Sequence, residues 1–389
     1  MNYKVILPPN IEFGIGKRDL LAEKILEFGN KILLLTGGSS FTETGNWELL
    51  ERSLKANQIV FELVRIRQEP TPEIIDEVVR VYIDYDPKVI VAIGGGSVLD
   101  AGKAISAMLP VKEPIINYLE GVGDGRTHPG TKIPFFALPT TSGTGSEATK
   151  NAVISRVGED GFKRSLRHDN FIPDLALIDP ELTLQCPQNI SIWSGMDAFT
   201  QLLESYLSTS ANPLTDAIAI SGLEMINKFL ERVVNDGTDL EARSGMAYAA
   251  FCSGITLANA GLGIVHGFAS SIGGRIDIPH GLICASLMGV SNDITLNKLL
   301  KENPDDPAVL KYAGVGKIFH GSYDRDNMFY AEFLVNKIYD LTLKFRLPKL
   351  GEFGFQPDMI AEILKNTSNK NNPVKLTESE MKEILFKTV

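Results

Sequence analysis

The sequence predicts an α/β N-terminal half with a Rossmann-like parallel sheet, followed by an all-α C-terminal half. Short aliphatic and β-branched runs alternate with helix-like stretches in the first half. Three of these runs end in glycine-rich turns. Beyond about Pro187, apolar residues recur only at helical spacing. We therefore divide the chain into an α/β domain, 1–186, and a helical domain, 187–389.

The first half is expected to fold as successive βαβ units. A helix is predicted around Asn46–Ala56, and a second begins with Thr71 as N-cap and Pro72 in its first turn. Because parallel strands bind ligands beyond their carboxyl ends, the site is expected at that edge of the sheet. The predicted strands are Lys31–Thr36, Ile59–Ile66, Lys88–Ile93, Ile133–Pro139 and Asp174–Asp179.

The second half contains long stretches with helical periodicity and no convincing strand. Examples are "MDAFTQLLESYLS", "LTDAIAISGLEMINKFLERVV" and "EARSGMAYAAFCSGITLANA". The tail from about Asn303 is polar and helical, with loops at Pro304–Pro307 and near Pro348–Pro357. The cleft between the two halves is the expected ligand site.

Composition excludes several classes of partner and of site. The formal net charge of −10 argues against nucleic acid or an anionic membrane as a partner. The three cysteines form no CxxC pair, which favours a reducing compartment and excludes a zinc ribbon or a disulfide framework. The N-terminus lacks a signal-peptide layout, and no run of 18 apolar residues occurs. These features predict a cytoplasmic protein.

Three glycine-rich turns follow predicted strands and suit phosphate groups. Glycines let the backbone approach a phosphate, and free N–H groups at a helix start attract its charge. None of the three matches GxGxxG, and each alone is equally well explained as a tight turn between strand and helix. Together they predict a nucleotide with a diphosphate. The turns are "TGGSS" (Thr36–Ser40), "GGGSVLDAGKAI" (Gly94–Ile105) and "LPTTSGTGSEAT" (Leu138–Thr149).

The first turn also bears on the choice of cofactor. Sites for NAD(H) usually place an acidic residue near this strand end, where it binds the ribose 2′-hydroxyl. Here no Asp or Glu occurs before Glu43. Small hydroxylic residues leave room for a 2′-phosphate, so NADP(H) is favoured over NAD(H).

Four residues of the second half form a candidate metal site. Asp197 and Gln201 share one helix face at i and i+4. His266 and His280 are separated by a Gly-Gly pair and a proline, which let the chain double back and bring the rings together. One carboxylate and two imidazoles suit Fe(II) or Zn, with the Gln201 oxygen as a weaker ligand or a partner of a bound water. The alternative is that each is a structural residue. The remaining histidines are predicted to lie at the surface: His128, His168 and His320.

The motifs resemble the iron-dependent (group III) alcohol dehydrogenase family, whose fold is shared with dehydroquinate synthase and glycerol dehydrogenase. The resemblance covers nearly the whole chain and rests on "GGGSVLDAGKA", "PTTSGTGSEAT", "DPELT", "SGMDAFTQLLESYLSTSANPLTDAIA" and "GLGIVHGFASSIGGRIDIPHGLICA". It implies a dehydroquinate synthase-like fold and NAD(P)-dependent interconversion of a small alcohol and an aldehyde or ketone. It also implies a carbonyl polarised by a divalent metal, and assembly into a homodimer or larger homo-oligomer.

The resemblance also implies roles for individual residues. Asp197, His266 and His280 match three of the four metal ligands of the family. Beyond the resemblance, we expect His266 and His280 to act in catalysis by holding the ion, with Ser270 or a water chain through the cleft carrying the proton. The cofactor residues are Gly37, Gly38, Ser39 and Ser40 in the first turn, Gly95, Gly96, Ser97 and Asp100 in the second, Thr140, Thr141 and Thr144 in the third, and Lys163 and Leu182 beyond them.

The chain departs from the family pattern at three positions. Gln201 replaces the usual fourth metal ligand, a histidine, and because an amide oxygen binds Fe(II) or Zn less well, the metal affinity is expected to fall. Ser270 replaces a further histidine, and Glu69 replaces a common asparagine. One alternative is therefore a metal-independent reductase of the maleylacetate reductase kind, in which His266 and His280 donate hydrogen bonds and carry protons. Another is a dehydroquinate synthase-like lyase, although the helical half has few basic residues near the motifs.

Overall fold

The computed structural model of the chain describes residues 2–39 and 41–389. Within these residues, six strands form one parallel sheet and two form an antiparallel hairpin. The strands are β1 (Ile11–Phe13), β2 (Lys31–Thr36), β3 (Val60–Arg65), β4 (Val89–Gly94), β5 (Phe135–Pro139), β6 (Asn151–Arg156), β7 (Phe162–Arg167) and β8 (Leu175–Ile178). The sheet has the order β1-β8-β5-β4-β2-β3, and β6 pairs with β7.

Four helices accompany the sheet and nine form the second half of the described chain. The first four are α1 (Leu21–Leu26), α2 (Gly45–Ala56), α3 (Pro72–Tyr82) and α4 (Gly96–Met108). The others are α5 (Gln188–Leu207), α6 (Pro213–Asn235), α7 (Leu240–Ala260), α8 (Ile264–Arg275), α9 (His280–Glu302), α10 (Pro307–His320), α11 (Asn327–Lys344), α12 (Ile360–Asn366) and α13 (Glu378–Thr388). The predicted fold class is confirmed.

All five predicted strands occur: β2 has the predicted bounds, β4 is shifted by one residue, and β3, β5 and β8 are shorter than predicted. Three further strands, β1, β6 and β7, are new. β1 has only three residues, and β7 carries four polar residues among six, so neither has the apolar run that identifies a buried strand. The predicted start of α3 is present, because the Thr71 hydroxyl accepts a hydrogen bond from the backbone N–H of Ile74.

The helical half packs around its own core. One buried cluster is formed by apolar residues of six helices, α5, α6, α7, α9, α10 and α11. α6 and α7 approach closely at Gly245, where a Cβ atom would lie 2.0 Å from the Phe229 ring. The last strand ends at Ile178 and α5 begins at Gln188, on either side of the predicted boundary at residue 187.

One prediction about the surface is wrong. His128 is buried, with its ring edge-on to those of Tyr118 and Phe171 and its Nδ1 accepting a hydrogen bond from the N–H of Gly130. Aromatic packing in the loop between α4 and β5 therefore holds a histidine that lies in polar sequence surroundings.

No single helix of the described chain has the length and apolar character needed to cross a membrane. α7 and α8 together pass on length and composition, but they are bent by 96°. Most residues of both helices are buried inside the protein.

Loops from the strand ends reach the helical half at two places. After β5, a Cβ atom on Gly145 would lie 2.4 Å from the backbone nitrogen of Gly254 on α7. Between β6 and β7, the N–H of Gly158 donates to the carbonyl of Gly274 on α8 at 3.2 Å. These contacts bring the loop after β5 against α7 and the β6–β7 hairpin against α8.

Candidate metal and cofactor site

Three predicted metal ligands converge in the helical half. Asp197 lies on α5, His266 on α8, and His280 begins α9 after the chain turns at Pro279. His266 Nε2 lies 3.3 Å and His280 Nε2 3.9 Å from the same oxygen, Asp197 Oδ1. The two imidazole centroids are 5.4 Å apart. The break between α8 and α9 therefore does bring the rings together.

The fourth side chain of the cluster is Cys284, which the sequence reasoning missed. Its Sγ lies 3.6 Å from His266 Nε2 and 3.8 Å from His280 Nε2. One donor atom from each of the four residues lies within 4.8 Å of all the others. The available signal was the i, i+4 spacing of His280 and Cys284, which puts both on one face of α9.

Gln201 contacts this cluster through its amide nitrogen. Nε2 donates to Asp197 Oδ2 at 3.0 Å, while Oε1 lies 2.9 Å from the hydroxyl of Ser253. The reverse amide orientation would place two oxygens 3.0 Å apart. Gln201 therefore orients Asp197 and turns its own oxygen towards Ser253.

Glu204 fixes the orientation of His266 and was also missed from the sequence. Its Oε2 lies 2.7 Å from His266 Nδ1, and its Oε1 accepts a hydrogen bond from the backbone N–H of Val265 at 2.7 Å. Because a carboxylate can only accept, Nδ1 of His266 carries a proton, and Nε2 faces the cluster, where it lies 3.3 Å from Asp197 Oδ1. Such a carboxylate–histidine pair is typical of metal-ligating imidazoles.

Burial and charge together set the protonation of the cluster. Burial acts to raise the pKa of Asp197, but the hydrogen bond from His266 and the charges of both imidazoles outweigh it and lower the pKa. Burial lowers the pKa of His280 to about 4, and the neighbouring Lys163 adds to this effect. Burial raises the pKa of Cys284 to about 12. At neutral pH, Asp197 is therefore ionised and His280 keeps a free lone pair.

The proton on His266 is held by the acidic groups that surround it. Burial acts to lower the pKa of His266, but Cys284, Asp197 and Glu204 outweigh it, and the pKa lies well above its ordinary value. The cluster therefore stabilises a positive charge at its centre. A carboxylate, two imidazoles and a thiol within this space fit a divalent transition metal, whose binding releases protons.

The second and third glycine-rich turns pack against each other beside α4. Gly95 is the N-cap of α4, and a Cβ atom on Gly96 would lie 2.6 Å from Thr144 Cγ2. The N–H of Thr140 donates to the carbonyl of Gly94 at 3.0 Å, and Thr141 lies beside Gly95. These predicted cofactor residues thus share one surface at the ends of β4 and β5. The N-terminus of α4 and the absence of side chains at Gly95 and Gly96 fit a diphosphate.

Ser97 and Asp100 lie in the first turns of α4, but both carboxylate oxygens of Asp100 already accept hydrogen bonds from other residues of the protein. Its Oδ1 accepts a hydrogen bond from the Ser146 hydroxyl at 2.5 Å, and its Oδ2 accepts from the N–H of Val153 at 3.0 Å. Asp100 therefore ties the third turn and β6 to α4, which positions the groups around it.

The first turn lies beside two arginines. Gly37, Gly38 and Ser39 follow β2 directly, while Ser40 lies outside the described residues. Arg65 Nη1 on β3 donates to the carbonyl of Gly38 at 2.5 Å. Arg67 Cγ lies 3.9 Å from where a Cβ atom of Gly38 would stand. The Arg65 guanidinium therefore lies at this turn, and the Arg67 side chain passes beside it.

Leu182 lines an apolar pocket at the same edge of the sheet. The pocket lies between α2 and the ends of β4 and β5, and its mostly apolar lining suits a nucleobase. Its other lining residues include Leu50, Phe41, Ile93, Leu138 and Arg18.

Lys163 on β7 forms an ion pair with Glu69, the residue that departs from the family pattern. Its Nζ lies 2.6 and 2.7 Å from the two Glu69 oxygens, and the Ser155 hydroxyl donates to Glu69 at 2.9 Å. The Lys163 side chain is 7% exposed and reaches Gly273 on α8. Ser270, also on α8, donates to the carbonyl of His266 at 2.9 Å.

A short chain of polar groups links the metal cluster with the third turn. From Asp197 it runs through Gln201 to Ser253, whose hydroxyl lies 3.3 Å from the carbonyl of Gly143. The candidate metal ligands therefore lie close to the third of the glycine-rich turns.

Comparison with known proteins identifies the family. Residues 8–180 match Iron-containing alcohol dehydrogenase, and residues 191–389 match Fe-containing alcohol dehydrogenase family, C-terminal. Alcohol dehydrogenase 4 of Schizosaccharomyces pombe is 32% identical over 379 residues, which are 96% of this chain and 86% of that protein. NADPH-dependent butanol dehydrogenase of Clostridium saccharobutylicum is 32% identical over 390 aligned positions, covering 97% and 96% of the two chains. The solved structure of an alcohol dehydrogenase from Oenococcus oeni has a TM-score of 0.88 at 27% identity and covers 100% of both chains. The chain therefore belongs to the iron-containing alcohol dehydrogenase family of oxidoreductases.

Proposed function

We propose that this protein is an NADP(H)-preferring alcohol dehydrogenase in which Asp197, His266 and His280 hold a catalytic divalent metal, Fe(II) or Zn(II). The observation that carries the proposal is the convergence of these three side chains in one cluster, which Gln201 and Ser253 connect to the third glycine-rich turn. When bound, the ion supplies Lewis acidity at a substrate oxygen, and the nicotinamide supplies or accepts a hydride. The substrate is a small alcohol or the matching aldehyde or ketone.

The protein's own residues bind and orient these groups. Glu204 holds the His266 ring so that Nε2 faces the cluster, and Gln201 holds the carboxylate of Asp197. His280 is the more exposed of the two ligand histidines, with 23% of its side chain accessible. We place His280 and Ser270 on the path by which a proton leaves or enters the cleft.

The proposed preference for NADP(H) is supported by the charges beside the first turn. Arg65 and Arg67 flank Gly38, and neither Gly37, Gly38 nor Ser39 carries an acidic side chain. A ribose 2′-phosphate would find positive partners there and no acidic side chain to repel it. The relative from Clostridium saccharobutylicum is named for NADPH and butanol, which agrees with this choice of cofactor and with a short primary alcohol as substrate.

The metal cluster favours this function over a metal-independent reductase. A hydrogen-bonding pair of histidines alone would not require a buried carboxylate and a thiol within 4.8 Å of both rings. We further propose that the protein works in the cytoplasm, where its three free cysteines stay reduced, and that it assembles into a homodimer or larger homo-oligomer.

The proposal is tested with purified protein loaded anaerobically with Fe(II) or Zn(II). We expect turnover of butanol and butyraldehyde with NADP(H), loss of turnover after chelation, and recovery when the metal is restored. Asp197→Asn should abolish recovery, whereas Asp216→Asn, which alters a carboxylate paired with Lys311, should not. Full activity in chelated, metal-free protein would contradict the metal-dependent function and support the metal-independent reductase.

A further inference from the structure

Four of the six separations among the donor atoms of the metal cluster are close to those between ligands of one ion, and every pair lies within 4.8 Å. Four-coordinate zinc is tetrahedral, with bonds of about 2.0–2.1 Å to nitrogen and oxygen and about 2.3 Å to sulfur, so its nitrogen and oxygen ligands lie about 3.3 Å apart and its sulfur about 3.6 Å from each. The separations from Asp197 Oδ1 to His266 Nε2 and to His280 Nε2 are 3.3 and 3.9 Å. Those from Cys284 Sγ to the same nitrogens are 3.6 and 3.8 Å. Small side-chain shifts would close the tetrahedron.

We propose that Cys284 Sγ is the fourth metal ligand of this protein and replaces the ligand that Gln201 cannot provide. The inference rests on the proposed function for the metal itself and goes beyond it in the identity of the ligands. Gln201 is then a positioning residue, because its amide nitrogen faces Asp197 and its oxygen faces Ser253.

The placement of Cys284 follows from how α9 begins. Pro279 starts the helix at His280, so Cys284 lies one turn further along on the same face. At Gly281 the helix approaches α5 closely, since a Cβ atom there would lie 2.5 Å from the carbonyl oxygen of Trp193. This contact brings the first turn of α9 onto α5, which carries Asp197. The thiol is fully buried in the cluster.

A sulfur ligand changes which metal the site prefers. Thiolates favour Zn(II) and its spectroscopic substitute Co(II) over Mg(II) or Mn(II), which prefer oxygen ligands. The Cys284 thiol must lose its proton to bind, so its proton is released on metal uptake. The site thus differs in chemical class from one built of a carboxylate and imidazoles alone.

The test uses the full-length protein loaded with Co(II), with an absorption spectrum as readout. A sulfur ligand gives a thiolate-to-cobalt charge-transfer band in the near ultraviolet, and visible d–d bands report cobalt binding of any kind. We expect both in the wild type and in Cys252→Ser, which alters a buried cysteine in the core between α6 and α7. Cys284→Ser should lose the charge-transfer band and bind cobalt at least tenfold more weakly.

A second measurement avoids any variant. X-ray absorption of the zinc-loaded wild type should show one sulfur at about 2.3 Å and nitrogen or oxygen ligands at about 2.0–2.1 Å. Cobalt or zinc bound stoichiometrically without a sulfur ligand would overturn this inference and leave the proposed function standing. If the wild type binds neither ion, both the inference and the metal-dependent function are overturned.

Discussion

Replacing Glu204 with glutamine should weaken metal binding although Glu204 is not a proposed ligand. The carboxylate accepts two hydrogen bonds, one from the N–H of Val265 and one from Nδ1 of His266, each at 2.7 Å. A glutamine oxygen can serve only one of these donors. If it serves Val265, its NH2 group faces Nδ1 and favours the tautomer with the proton on Nε2. That proton occupies the lone pair that the metal requires.

The size of this effect follows from the contact that is lost. A hydrogen bond to a charged group contributes about 1.5–3 kcal/mol. Since about 1.4 kcal/mol is a factor of ten, the change predicts a Kd for Zn(II) that is about 10–100-fold higher, the range found when partners of metal-bound histidines are altered. The assay is zinc competition with a chelator of known affinity, in Glu204→Gln and wild type. Glu231→Gln, which alters an ion-paired glutamate on α6, is the control. An unchanged Kd in Glu204→Gln would refute the assigned tautomer and the role of His266.

Three further outcomes are expected. The double variant Arg65→Gln, Arg67→Gln should raise KM for NADPH by at least tenfold and leave KM for NADH nearly unchanged, because only NADPH carries the 2′-phosphate. An equal rise in KM for both cofactors would argue against 2′-phosphate binding at the first turn. Gly96→Ala should weaken cofactor binding measured by nicotinamide fluorescence, because its Cβ atom would lie 2.6 Å from Thr144 in the third turn. The control variant, Gly45→Ala, should bind the cofactor as the wild type does, because its Cβ atom would meet no atom within 4 Å. Burial lowers the pKa of Lys103 to about 8 from an ordinary value of 10.5, so between these pH values its side chain binds a proton in the unfolded chain and not in the folded protein. The contribution of Lys103 to the free energy of unfolding therefore rises with pH. Because the buried cysteines contribute with the opposite sign, the quantity to measure by urea unfolding is the free energy of unfolding of the wild type minus that of Lys103→Met. This difference should rise between about pH 8 and 10.5, and a difference that does not change with pH would contradict it.

Sequence patterns predict the fold well where burial is one-sided or complete. β2 is apolar between its terminal residues Lys31 and Thr36, β4 is apolar throughout, and both end at glycine-rich turns, so both were found from composition alone. The β6–β7 hairpin was missed because its strands have neither a long apolar run nor a regular alternation of polar and apolar residues, and both are partly exposed. His128 was misplaced because its burial depends on aromatic rings distant in sequence.

For the site, helix breakers carry more information than residue types. The glycines and proline between His266 and His280 predict that the two rings converge, and the structure places them together. Cys284 and Glu204 lie at helical spacings from His280 and Asp197, but spacing alone does not show which helix face meets the cluster. Gln201 shares a face with Asp197 as expected, yet only its contact with the Asp197 carboxylate, which can only accept, shows which way its amide is turned. Ligand identity thus depends on packing between helices, which a single sequence does not encode locally.

The most direct test of the account is a crystal structure of the zinc-loaded protein with anomalous scattering recorded at the zinc edge. If these three side chains bind the metal, we expect a single strong peak within about 2.0–2.2 Å of Asp197 Oδ1, His266 Nε2 and His280 Nε2. A peak bound elsewhere, or none at stoichiometric zinc, would contradict the claim that these three side chains hold the metal.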